Sequence, residues 1–364
     1  MSRIFAAFVA AALCTTRLAA QDVPPATASL TLETALAAAR QTSPALDAAS
    51  ADLRASSAAR TAAGLRPNPS LEAQTENVTG SGPYRGFDSA ETTVGFALPI
   101  ELGGKRSARI GVAEAQGARA RIDAAIAEAD LTLRVTQAFV AAVAAERRLG
   151  VARDQAGIAA EAFRAAGVRV RAGRASPIEE QRADVLRINA EAAAARAERD
   201  ALVARDTLAR LIGRPVTAGL DLAWFDRIGG YGPSARANVD GTLALAAADA
   251  EVSTADAQVR LARSQRIPDV TLSAGARRLE ATNDTAAVFG VSVPLPLFNN
   301  GSAGVAQARA ERDRADARRR MVQIDAEQAI ASAEAEVTNA AADARNATGP
   351  ALTAALEAAR VARI

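Results

Sequence analysis

A mainly α-helical protein with a small β part, built from a duplicated helix–strand–strand–helix unit and long antiparallel coiled-coil hairpins, is the fold class the sequence predicts. Three observations carry it. Apolar positions alternate steps of four and three over a long stretch, two short motifs recur about two hundred residues further on, and period-two patterning is confined to the segments beside those motifs.

Residues 1–20 stand apart from the fold. Arg3, the apolar run from Ile4 to Leu13 and the small-residue exit Ala19-Ala20 read as a secretory signal peptide. The run is too short for a membrane-spanning helix, and no later stretch approaches the roughly 18 consecutive apolar residues that one needs. Any membrane insertion of the mature chain therefore uses strands. Cys14 is the sole cysteine; it is a candidate lipid acceptor, against which the bulk of Leu13 speaks, and by itself it forms no disulfide within the chain. There is no histidine, so the usual general base and the commonest transition-metal ligand are absent, and no catalytic residue, cofactor site or metal site is expected. The 43 basic and 41 acidic residues are spread along the chain and only 3% of residues are aromatic, which excludes the basic, stacking surface of a nucleic-acid binder. Abundant alanine favours helices that approach closely in thin walls.

The repeat is read from two anchors. Arg66-Pro67-Asn68-Pro69-Ser70-Leu71 and Arg266-Ile267-Pro268-Asp269-Val270-Thr271 each follow an Ala-rich helical stretch, and setting Pro69 against Pro268 gives an offset of 199. Val94–Ile100 and Phe289–Leu295, with Gly95 and Gly290 in step, give 195, so the intervening loops are expected to differ by four residues. Strands are expected at about 70–78, 91–100, 269–277 and 286–295. Leu71, Ala73, Val94, Phe96, Leu98, Ile100, Val270, Leu272, Ala274, Phe289, Val291 and Val293 alternate with polar or small residues such as Gln74, Thr93, Ser273 and Gly290. Strands of about 9–11 residues with one apolar face, joined by polar loops, suit a transmembrane β-barrel as well as a half-buried soluble sheet. Four strands close no barrel, so a membrane reading requires the subunit to oligomerise.

The helical arms follow. From about residue 104 the pattern stays helical to about Ala172, with Leu131, Val135, Ala138, Ala142, Ala145, Leu149, Ala152, Ala156, Ala159, Phe163, Ala166 and Val170 forming a heptad seam. Gly173-Arg174-Ala175-Ser176-Pro177 reverses the chain, Gly suiting a helix end and Pro a first turn. The return carries Leu186, Ala190, Ala193, Ala197, Ala201, Ala204, Leu208 and Leu211 and stops at Gly213. The expected organisation is a first repeat over 21–216 with its hairpin at about 104–213, a connector at 217–237, and a second repeat over 238–364. Pro69 and Pro268 precede strands, Pro99 and Pro294 are expected late in them, Gly103-Gly104 allows a tight turn, and Lys105 and Arg106 are expected to face water.

Over nearly its whole mature length the sequence resembles the TolC family of outer-membrane efflux proteins. The resemblance rests on Leu30-Thr31-Leu32, Ala35-Leu36, Pro44-Ala45-Leu46, the doubled strand pairs, Gly167 with the Gly173–Pro177 reversal, and Leu211-Ile212-Gly213. Pro99-Ile100-Glu101-Leu102-Gly103-Gly104-Lys105-Arg106 and Pro296-Leu297-Phe298-Asn299-Asn300-Gly301 are similar to the cobalt-zinc-cadmium resistance branch. The resemblance implies a homotrimer in which each protomer gives four strands to one twelve-stranded barrel in outer-membrane lipid, continued by a helical tunnel in the periplasm. It implies a periplasmic adaptor (membrane fusion) protein docking at Gly173, Arg174, Ser176 and Pro177. It implies an inner-membrane, proton-driven pump of the resistance-nodulation-division type, and Pro69, Pro99, Gly103, Gly104, Pro268 and Pro294 marking the barrel–helix junction. The implied function is a passive exit duct for divalent heavy-metal cations. Alternatives are a channel for drugs or type I secretion, and a periplasmic coiled-coil adaptor without a pore. At the 195 offset Ile364 aligns with Arg169, so the second repeat is expected to lack its returning helix and the periplasmic aperture to close poorly.

Overall fold

The computed structural model describes residues 29–224, 237–349, 352–354 and 357. The signal peptide expected at 1–20, Cys14 within it, residues 225–236 of the expected connector and most of the segment beyond Gly349 lie outside the described residues. The protein is mainly helical with one antiparallel sheet. The order is α1 (Leu32–Thr42), α2 (Pro44–Ala63), β1 (Ser70–Glu76), β2 (Glu91–Ile100), α3 (Lys105–Arg171), α4 (Pro177–Ile212), α5 (Leu243–Ser264), β3 (Val270–Leu279), β4 (Asp284–Ser292) and α6 (Ser302–Thr348). Two compact units result, Ala39–Val135 with Asp226–Ile364, and Thr136–Phe225 with the residues up to Ala38.

The first of these units holds the sheet, whose strands follow sequence order β1-β2-β3-β4, each antiparallel to the next. Side chains alternate across a pleated strand, so register decides which residues share a face. Leu71 lies opposite Phe96, Phe96 opposite Ala274 and Ala274 opposite Phe289, which gathers the apolar positions on one side. That side is open, with Phe96 63% and Phe289 81% exposed. The other side is mostly polar or small, Val288 and Leu279 apart. On it Arg277, opposite Thr93, donates to Thr93 Oγ1 at 2.9 Å and pairs with Glu91 at 2.8 Å and Glu76 at 3.0 Å.

Strand ends depart from expectation for local reasons. β1 stops at Glu76, not about 78, because Asn77 takes φ +59° and turns the chain away. β3 runs on to Leu279, and β4 starts at Asp284 after a short loop in which Asn283 takes φ +61°. β4 ends at Ser292, so Pro294 lies beyond the strand, whereas Pro99 lies within β2. A proline cannot donate to a ladder, and among the described residues no strand lies on the far side of β4.

The registers also correct the alignment of the two copies. Ser70 pairs with Ala97 and Thr271 with Ser292, so β1 and β3 are offset by 201 where β2 and β4 are offset by 195. Pro67, Asn68 and Leu71 therefore correspond to Pro268, Asp269 and Leu272, and the loops differ by six residues. The 199 offset kept the faces right but placed β1 two residues out of step with the ladder.

Around the sheet's helical end, ion pairs stitch the helices of the same unit together. Arg60 meets Glu114 at 2.7 Å, Arg119 meets Glu251 at 3.3 Å and the Ala247 carbonyl at 3.1 Å, and Arg312 meets Asp256 at 3.3 Å. Between α5 and α6 the buried side chains are small, among them Ala250, Ala257, Val305 and Ala308, so the helices lie close.

Helix α3 is 67 residues long, roughly 100 Å at 1.5 Å per residue. Leu131, Val135, Ala138, Ala142, Ala145 and Leu149 of its seam are buried, and Ala152 to Val170 along the same seam are half-buried. In the second unit Ala145 and Leu149 pack on Ala201, flanked by Ala197 and Ala204. The return seam differs from expectation at both ends. Leu186 is 65% exposed, because Arg187 turns over the Phe163 ring at 5.4 Å with Asp184 and Glu191 holding its guanidinium. At the other end Ile212, not Leu211, is the fully buried residue.

Candidate functional site

The junction between the strands and α3 is held by a network of side-chain hydrogen bonds. β2 ends at Ile100, and Gly103 and Gly104, at φ +68° and +72°, turn the chain into α3 at Lys105. A side chain at Gly103 would lie 2.8 Å from Ile267 Cβ and 2.9 Å from the Ser264 carbonyl, so glycine is required there both for conformation and for space. Glu101, Lys105 and Arg109, four residues apart, place one acidic and two basic side chains around the start of α3.

Arg109 is the hub. Its guanidinium grips Glu101 through both carboxylate oxygens, and it also donates to the carbonyls of Ala63 at 3.3 Å and Leu65 at 3.1 Å. Arg106 donates to the Gly64 carbonyl at 2.6 Å. Together they satisfy carbonyls that the end of α2 leaves without intrahelical partners. Lys105 Nζ meets Asp269 Oδ1 at 2.7 Å, and the same oxygen accepts from the Leu102 amide at 3.1 Å. Lys105 is thus half-buried and paired, where water was expected; Asp269, just ahead of β3, is the reason. Arg109 holds the Glu101 carboxyl below its ordinary value, against the upward push of burial, and Glu101 raises Arg109 in turn. Burial pushes Asp269 up, but the Lys105 and Leu102 hydrogen bonds outweigh it and leave this carboxyl also below its ordinary value.

Of the expected junction residues, Pro69 immediately precedes β1, Pro268 lies two residues before β3, and Pro99, Gly103 and Gly104 sit at the exit of β2. Pro294 opens the exposed segment Pro294-Leu295-Pro296-Leu297-Phe298 that leads to α6. There Gly301 takes φ +73°, with Asn299 and Asn300 side chains accepting from the Gly301 and Ser302 amides at 3.0 Å each. Motif reading singled out Glu101, Lys105 and Asp269 as parts of strings but passed over Arg109. The four-residue spacing of Glu101, Lys105 and Arg109 was its only signal, since Ala63, Leu65 and Asp269 are remote in sequence.

The hairpin tip is a compact reversal. Gly173, at φ +70°, closes α3, with the Arg174 amide donating to the Arg169 carbonyl at 2.8 Å. Ser176 caps α4 through the Ile178 amide at 3.4 Å, Pro177 opens it, and Glu179 meets Arg169 at 3.7 Å. Gly173, Arg174, Ser176 and Pro177 are all exposed.

A cavity of about 710 Å³ opens between α2, α3, α5 and α6, with Asp52, Asp123, Glu251, Glu311, Arg119 and Arg314 in its lining. Among the described residues no cluster of three or more His, Cys, Asp or Glu is arranged to hold a metal ion, and no helix is long and apolar enough to cross a membrane.

This architecture has known counterparts. The chain is 33% identical over 293 residues to the cobalt-zinc-cadmium resistance protein CzcC of Cupriavidus metallidurans, covering 79% of this chain and 68% of that protein. The nickel and cobalt resistance protein CnrC of the same organism is 32% identical over 79% of this chain and 69% of its own length. In fold it is similar to the outer membrane protein VceC of Vibrio cholerae, with a TM-score of 0.69 at 22% identity over 91% and 84% of the two chains. It is likewise similar to CusC, with a TM-score of 0.67 at 16% identity over 92% and 81%. Residues 35–214 and 240–364 match the family described as outer membrane efflux protein, and to that family the chain belongs.

Proposed function

We propose that this efflux-family chain, a duct and not an enzyme, is the outer-membrane exit channel of a tripartite system that expels divalent heavy-metal cations. The observation that carries the cargo is the 33% identity to a cobalt-zinc-cadmium resistance protein along most of this chain. The open apolar face of the sheet supports lipid contact, and the two unpaired sheet edges, β1 and β4, support closure by further copies in a homotrimer. In this reading the six junction residues Pro69, Pro99, Gly103, Gly104, Pro268 and Pro294 hand the strands over to the helices. The exposed tip of Gly173, Arg174, Ser176 and Pro177 docks a periplasmic adaptor, which couples the duct to an inner-membrane pump of the resistance-nodulation-division type. With no histidine in the chain, the channel passes cations and leaves their selection to the pump.

Deleting the gene and restoring it on a plasmid tests the cargo. Sensitivity to zinc, cobalt or cadmium that complementation reverses is expected. A phenotype confined to hydrophobic drugs would remove the metal assignment and leave the channel.

A further inference from the structure

We propose that the open edges of the sheet meet between protomers in one defined register, with Val293 opposite Leu71 of the next copy, Val291 opposite Ala73 and Phe289 opposite Thr75. The inference deepens the trimer reading above and rests on it. Its occupant is a second copy of this chain, and the argument is that the chain already contains the same joint once.

Within one protomer the joint between the two hairpins is the β2–β3 pair, in which Leu98 faces Leu272, Phe96 faces Ala274 and Val94 faces Ala276. β4 corresponds to β2 at an offset of 195 by the match of Val94–Ile100 to Phe289–Leu295, and the two hairpin registers then set β1 against β3 at 201, where Pro67 and Leu71 meet Pro268 and Leu272. Carrying the β2–β3 register across by these offsets leaves no freedom in the β4–β1 pairing. The result agrees with the chemistry of the residues it pairs. Phe289, Val291 and Val293 share a face with Leu71, Ala73 and Thr75, so the apolar side continues unbroken across the joint, which a slip of one residue would not allow. Pro99 lies opposite Thr271 inside the protomer, and the carried register sets Pro294 opposite Ser70, again a small hydroxyl residue beside a proline. On the inner face Gly290, whose added side chain would lie 2.5 Å from Ser273 Oγ, falls opposite Gln74 of the neighbour, and no like charges are brought together. The edges also need cover: Leu71 is 67% and Val291 71% exposed, and among the described residues β1 and β4 each have a strand on one side only.

Paired cysteines in the full-length chain, with Cys14 replaced by Ser, test the register in outer membranes under mild oxidation. Val291→Cys with Ala73→Cys, and Gly290→Cys with Gln74→Cys, cover both kinds of antiparallel pair. Val291→Cys with Leu71→Cys or with Thr75→Cys are the slipped controls. Direct partners lie about 5 Å apart and diagonal ones about 7–8 Å, near the limit for a disulfide, so in-register pairs are expected to give covalent dimers and trimers at roughly tenfold the slipped yield. Slipped pairs linking as well as in-register ones would overturn the register. So would native trimers, sized in detergent, in which no pair links. A chain that runs as a monomer in detergent would overturn the trimer reading itself, a result that native size separates from a wrong register.

Discussion

Arg109→Met removes four hydrogen bonds at the junction at once, two to Glu101 and one each to the Ala63 and Leu65 carbonyls. The guanidinium is 32% and the carboxylate 14% exposed, so water reaches part of the site and the pair counts for less than a fully buried one. Taking about 1–2 kcal/mol for the discounted ion pair and about 0.5 kcal/mol for each carbonyl bond gives a loss of roughly 2–3 kcal/mol. Arg109→Lys keeps a charge but not the fork, and is expected to lose about half as much. Thermal unfolding in detergent, followed by circular dichroism, measures these losses, with Glu101→Gln and the double variant completing a cycle. The cycle is expected to show a coupling of about 1 kcal/mol. An Arg109→Met protein within about 0.5 kcal/mol of the parent, or losses that simply add, would refute the assignment of Arg109 as the hub.

Three further outcomes are expected. Phe96→Arg or Val291→Arg, on the open apolar face, is expected to cost about 2–4 kcal/mol if that face meets lipid, and to cut outer-membrane yield, while Gln74→Arg on the polar face stays mild; equal yields would refute the facing. A side chain at Gly95 would lie 2.7 Å from the Ala274 carbonyl and 2.9 Å from Gly275 Cα, both backbone, whereas one at Gly290 meets only the Ser273 hydroxyl. Gly95→Ala is therefore expected to lower the melting temperature well beyond Gly290→Ala, by about 1–3 kcal/mol of stability. Glu101 and Asp269 both titrate below their ordinary values in the folded chain, so their contribution is complete above about pH 4–5 and is lost as pH falls through the depressed values. Acid unfolding monitored by circular dichroism should accordingly be shallower in Glu101→Gln with Asp269→Asn than in the parent.

Much was legible because it depends on periodicity. The α3 seam from Leu131 to Val170 follows the expected residues, since a helix repeats every 3.6 residues whatever it packs against. The faces of all four strands were legible for the same reason, as alternation requires no knowledge of the partner. Leu186 was misplaced because the choice between it and Arg187 depends on Phe163, a residue on another helix. The offset between copies was misjudged because aligning prolines cannot see which residues pair across a hairpin.

What the sequence by itself determined is therefore what repeats along one chain: the helical arms, the duplicated hairpins, the greasy and wet faces of the strands, and the turns at Gly103-Gly104 and Gly173. Tertiary structure alone decided what depends on residues far apart meeting in space. Arg109 reaches carbonyls at Ala63 and Leu65, Lys105 finds Asp269 across 164 positions, and Ser70 and Thr271 set the registers that put the copies in step. The physical reason is that local patterning is dictated by backbone geometry, while a hydrogen bond or a register is chosen by which donor, acceptor or strand edge the folded chain brings within about 3 Å.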